Sequence, residues 1–189
     1  MPAQNLNQSP LFDTAVSEGK AAFQAALAKY PNERFYVFCF YSDNDVSSVY
    51  PTANTAEGFQ RICNSDDPND LNYYRWAPAE WDIDFGQFSD ADLMLETNKL
   101  LHQDYSNYGD EPAVQFGERK RQTLITLTNA LLKIRESGIF ANRAVRDRLA
   151  FWINIGDAMP GEIEWMFQPA IPHLETDDVM ELRRLFEFS

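Results

Sequence analysis

Residues Arg34–Asn54, RFYVFCFYSDNDVSSVYPTAN, decide the fold. In the first arm Phe35, Val37, Cys39 and Tyr41 alternate with Tyr36, Phe38 and Phe40. Both sets are apolar, so the arm reads as an interior strand covered on both faces. Asp43, Asn44 and Asp45 follow; these residues tolerate tight backbone geometry and hydrogen-bond locally, as a turn requires. Val46–Tyr50 then returns as the partner strand, ended by Pro51, which has no donor for a ladder.

Upstream, Ser9 caps and Pro10 opens a helix whose stripe runs Phe12, Ala15, Val16, Gly19, Ala22, Phe23, Ala26, Leu27 and Tyr30. Downstream, Thr55 caps a short helix ending near Ile62. Asn64–Asp70 is too rich in turn formers to be regular. In Tyr73–Trp81, YYRWAPAEW, Pro78 limits the chain to a short third strand leading into a turn. A helix starts at Ser89 and passes Met94, Leu101 and Tyr105. A long one spans about Val114 to Ser137, with Leu124, Leu127, Leu131 and Ile134 as its apolar stripe and Gly138 as its stop. Arg119, Lys120, Arg121, Lys133 and Arg135 are placed off that stripe. Leu149, Phe151, Ile153 and Ile155 mark another strand, Glu162–Phe167 a further strand or turn, and Thr176 the cap of the last helix. Together these predict a single α+β domain over residues 1–189, a small mainly antiparallel sheet with helices packed on it.

Composition narrows the function classes. The chain has 189 residues, 29 acidic against 16 basic, and a net charge of −13. Residues 61–115 hold 12 acids and 3 bases, whereas residues 116–148 hold 3 acids and 8 bases. Such a surface repels phosphate backbones and attracts a basic partner, so nucleic acid is not expected. No apolar run approaches the roughly 20 residues of a membrane helix, and the polar start MPAQNLNQSP does not resemble a secretion signal. The expectation is a cytoplasmic protein without membrane contact. Cys39 and Cys63 read as free thiols, Cys39 as a core residue.

No motif writes out a reaction. Asp43-x-Asp45-x-Ser47 resembles a calcium loop, but Ser48 and Asn54 stand where that loop needs Gly and Glu. His102 and His173 lie far apart with no ligand at zinc spacing. There is no phosphate-binding glycine loop and no nucleophile elbow. Catalytic residues, metal and cofactor are therefore all assigned as none. Tyr73, Tyr74, Arg75, Trp76 and Trp81 are the types that dominate binding hot spots, large in area with a polar handle. The plain alternative is that they pack into the sheet, with Arg75 paired to Glu80 or another carboxylate.

The segments FYVFCFYSDNDVSSVYPTANTAEG, YYRWAPAEW and, more loosely, LAFWINIGD resemble, in order, the bacterial proteins catalogued as domain of unknown function 4303. The resemblance implies no catalytic residues. It suggests a role beside polymorphic toxins, as an immunity protein neutralising a basic toxin domain.

Two functions stay open. The first is a protein-interaction module binding a basic partner through Tyr74, Arg75, Trp76, Glu80 and Trp81, with Asp66, Asp67, Asp82 and Asp84 steering the encounter. The second is a small enzyme or small-molecule-binding domain. Its pocket would lie between the hairpin tip and the aromatic stretch, using Asp43, Asp45, Arg75 and Glu80. A homodimer formed through an exposed basic helix is a third possibility.

Overall fold

The structure is a computed structural model and describes residues 9–83, 85, 93–106, 113–140, 149–168 and 170–186. Among these the order is α1 (Pro10–Lys29), β1 (Phe35–Ser42), β2 (Val49–Thr55), α2 (Ala56–Ile62), α3 (Pro68–Trp76), α4 (Leu95–Ser106), α5 (Ala113–Glu136), β3 (Ala150–Ile155), α6 (Pro160–Phe167) and α7 (Thr176–Phe186). The fold is α+β, with helices on both faces of a three-stranded sheet. No helix among the described residues is long and apolar enough to cross a membrane.

The sheet order is β2-β1-β3, so the apolar arm Phe35–Ser42 supplies the central strand. β1 runs antiparallel to β2 and parallel to β3. The sheet is thus mixed rather than mainly antiparallel: a crossover through α2 to α5 is long enough to bring β3 back in the same direction as β1.

One face of β1 is covered by α1 and α5. Phe23 of α1 packs on Phe38 and Phe40 at ring distances of 4.7 and 5.9 Å. Gly19 lets the helix approach this closely, since a Cβ there would stand 2.6 Å from Phe40 and 2.9 Å from Ile134. The opposite face is a cluster of indoles. Trp152 of β3, the register neighbour of Cys39, meets Trp76 at 5.2 Å, Trp81 at 6.1 Å and Phe167 at 5.9 Å.

The register of β1 against β2 shifts between Phe35 and Val37. Simple alternation puts Phe35 with Cys39 and Tyr36 with Phe38. Instead Phe35 stacks on Phe38 at 5.0 Å, and Tyr36 meets Trp76 edge-on at 6.0 Å. A bulge of this kind re-aims a side chain, here the Tyr36 phenol, toward the α3 side of the sheet.

Several boundaries differ from expectation for local reasons. β2 starts at Val49, not Val46, and contains Pro51 opposite Phe40. An edge strand tolerates the missing donor. Val46 remains in the turn, buried and left-handed at φ 55°. Tyr73–Trp76 is helical, not a strand: the Asp67 carboxylate accepts the Asn69 N–H at 2.8 Å and Pro68 occupies the first helical position. Residues 68–70 thereby leave the irregular loop. Glu162–Phe167 is also helical, with Pro160 at its start and Glu162 accepting the Met159 N–H at 2.9 Å. The Val179 N–H bonds to the Glu175 carbonyl, so Thr176 is the first residue of α7 rather than its cap. The Ser9 and Thr55 caps form as expected, accepting from Phe12 and Gly58, and Gly138 after α5 has φ +76°. Ser89 lies outside the described residues.

Candidate functional site

The nonapeptide Tyr73–Trp81 does not present its indoles to solvent. Trp76 and Trp81 are 1% and 8% exposed and pack on Trp152. A helix offers one face to the core, and in α3 that face ends on Trp76. Tyr74 and Arg75 are half-buried, while Glu80 is exposed and accepts the Tyr73 hydroxyl at 3.0 Å, which raises the Tyr73 phenol above its ordinary value. Glu80 thus pairs with Tyr73, and Arg75 finds its carboxylates in α7. Of the indoles that meet on this face, Trp76 has an acceptor: its Nε1 donates to Glu181 at 2.7 Å, whereas Trp81 and Trp152 have none among the described residues.

The steering acids divide. Asp66 and Asp67 are exposed, and Asp67 caps α3. Asp82 accepts from Arg61 at 2.6 Å, and the same guanidinium reaches both oxygens of Glu33 at 2.9 and 3.1 Å. These bonds raise the Arg61 pKa further and leave Asp82 locally neutralised. Asp84 lies outside the described residues.

Asp43 and Asp45 are not brought to Arg75. Asp43 closes the hairpin turn, accepting from the Ser47 N–H and from the Ser47 and Ser48 hydroxyls at 2.6 to 2.8 Å. Asp45 accepts from the Tyr105 hydroxyl at 3.3 Å. Arg75 is tied to Tyr36 near the start of β1, whereas Asp43 follows its end; a strand of that length holds them roughly 20 Å apart. Among the described residues, the hairpin tip and Arg75 are therefore not brought together in one pocket.

A cleft lies at the opposite end of the sheet, between the start of β1 and helices α2, α3 and α7. It encloses about 600 Å³. Phe59, Leu71 and Leu185 supply apolar wall, and Arg34, Arg75, Glu181 and Arg184 supply charge. The bulge aims Tyr36 here, and its hydroxyl donates to the Arg75 carbonyl at 3.0 Å. Burial pushes that phenol well above its ordinary pKa, so it stays protonated.

The arginines are held to different degrees. Arg75 pairs with Glu181 at 3.1 Å and Asp178 at 3.8 Å, and lies over the rings of Trp76 and Tyr36 at 5.1 and 5.7 Å. Arg34 grips Glu57 twice, through its backbone N–H at 2.8 Å and its Nε at 2.7 Å. Although burial opposes ionisation, these bonds hold the Glu57 carboxyl below its ordinary value. Arg184 makes no ion pair among the described residues.

The basic helix is not an open cationic face. Lys120 is 4% exposed; its Nζ donates to Glu162 and, at 3.2 Å, to the side-chain amide oxygen Oδ1 of Asn44. Lys120 stands four residues before Leu124, which continues the apolar stripe instead of leaving it. Arg119 pairs with Asp104 at 3.2 Å, and Arg121 and Lys133 pair with Glu118 and Glu136 within the helix.

Neither the curated proteins nor the solved structures contain a match to the chain. The model of one family, described as Domain of unknown function (DUF4303), matches residues 17–166. That span takes in the greater part of α1, the whole sheet, α2 and α3, and most of α6, and so includes both the indole cluster and three walls of the cleft. The chain belongs to the DUF4303 family.

Proposed function

We propose that the protein is a binding module whose working surface is the cleft between α2, α3 and α7. One observation carries the reading: an apolar-walled space of about 600 Å³ with a few fixed polar groups at its edge. Ligand sites have this size and mixture. The polar groups are set in advance, because Arg75 is clamped by Glu181, Asp178 and two rings, so little ordering remains for a ligand to impose. The chemistry favours binding over catalysis. Tyr36 stays protonated, and Glu181 already accepts from Arg75 and Trp76. A fragment screen followed by amide chemical shifts tests the reading. Hits are expected to move Phe59, Leu71 and Leu185, and to be lost in Leu71→Trp, which fills the space. Hits that leave these three unmoved would remove the cleft from consideration.

A second reading follows from charge. Asp66, Asp67 and Asp70 are exposed on the lip where Pro68 and Asn69 bound the cleft, in a chain of net charge −13. This supports an interaction module for a basic protein, such as an immunity protein facing a basic toxin domain. In that case Asp66→Asn with Asp70→Asn slows association with the partner several-fold at low salt, by weakening steering. An unchanged on-rate would discard this reading.

A further inference from the structure

We propose that the cleft takes an oxyanion, a carboxylate or a phosphate monoester, carried on an apolar body, with Arg184 as its counter-ion. The inference rests on the cleft being the working surface and adds the chemistry of its ligand. Three arginines and one acid line the space, in a chain that is otherwise strongly acidic. Two of the arginines are already balanced. Arg34 places both its backbone N–H and its Nε on Glu57, and Arg75 faces Glu181 and Asp178.

Glu181 stands one helical turn before Arg184 on α7, but it is turned to Arg75 and Trp76 and makes no ion pair with Arg184. One of its oxygens accepts from Arg75 at 3.2 Å and the other from the Trp76 indole at 2.7 Å. Arg184 is left as the surplus charge of the lining, with no ion pair among the described residues. Past the acids of the lip, a cationic ligand would meet one acid in the lining itself, and that acid already accepts from two donors. An anion meets a guanidinium whose planar fork matches two oxygens at once. Leu185, Leu71 and Phe59 beside it would cover an apolar body of a few carbons or one ring. Partial exclusion of water by those walls strengthens the charge pairing relative to open surface.

Calorimetric titration of the full chain with four probes of one shape tests this: 4-phenylbutyrate, 4-phenylbutyl phosphate, the neutral 4-phenylbutanamide and the cationic 4-phenylbutylamine. Both anions are expected to bind about tenfold tighter than the amide, and the amine more weakly than either. Whichever anion binds more tightly identifies the headgroup. Arg184→Ala, at an exposed position on α7, is expected to leave the melting temperature unchanged, abolish the preference for anions and preserve amide affinity. Arg184→Lys should restore part of the preference. Equal binding of amide and anions, or a preference that survives Arg184→Ala, overturns the oxyanion assignment and leaves the cleft standing as a neutral site. Failure of all four probes to bind overturns the assignment together with the cleft.

Discussion

Replacing Trp76 with alanine is expected to destabilise the fold by about 3–5 kcal/mol, the range for removing a fully buried large aromatic. The ring is 1% exposed and fills the space between Tyr36 and Trp152. Its loss empties the centre of the indole face and also strips Glu181 of its 2.7 Å donor. Trp76→Phe separates these effects. It keeps an aromatic ring in place and removes the N–H, so about 2 kcal/mol should be lost, from a hydrogen bond to a charged group together with the smaller volume of the ring. Urea denaturation of both variants measures the difference. A Trp76→Ala protein within about 1 kcal/mol of the parent would mean that α3 does not pack on the sheet as described. Because Trp76 orients Glu181 and Glu181 orients Arg75, Trp76→Phe also loosens the rim of the cleft while leaving its apolar wall intact.

The second large effect concerns Lys120. Breaking a buried ion pair by removing one partner leaves the other charge stranded, which costs roughly 3–5 kcal/mol, whereas replacing both partners is far milder. Lys120 is 97% buried at its side chain and Glu162 is 85% buried at its side chain, so the lower end of that range, about 3 kcal/mol, is expected for Lys120→Ala. The ammonium also holds Asn44 at 3.2 Å, which joins the hairpin turn to α5 and α6. Combining Lys120→Met with Glu162→Gln is expected to recover much of the loss, since neither charge remains and the glutamine can still accept the Met159 N–H. A double-mutant cycle in denaturant reads the coupling directly. Additive losses across the cycle would show that the pair contributes no coupling.

How far the sequence could be read depended on whether the deciding contact was local. The central strand, α1, α5 and β3 were legible because each writes its own periodicity and its own stop signals. The helix α3 was legible in principle: Asp67-Pro68 is an N-cap followed by a first-turn proline, but the aromatic run Tyr73–Trp76 looked like strand composition. Propensity for strand is largely a statement about packing, and these rings pack equally well from a helix. Lys120 is hard to place for a similar reason: its charge argues for the surface, while its position on the stripe of Leu124 and Leu127 puts it inside. Other features left no local trace. The direction of β3 depends on a partner far away in sequence, and nothing in the run Phe35–Tyr36–Val37 announces a bulge. The cleft needs one residue each from β1, α2, α3 and α7, so Arg34, Phe59, Arg75 and Arg184 gave no motif to recognise. Arg75 was the part of the site that residue type alone could suggest.

The parallel pairing of β1 with β3 lays Val37 beside Ala150. During synthesis the hairpin leaves the ribosome long before its second neighbour does. At ordinary elongation speeds the interval is on the order of ten seconds. Throughout it the aromatic strand keeps one flank of backbone donors and acceptors unclaimed, and such flanks recruit other chains. Until β3 is made, the edge of the central strand is therefore the part of the nascent chain most open to pairing with another molecule.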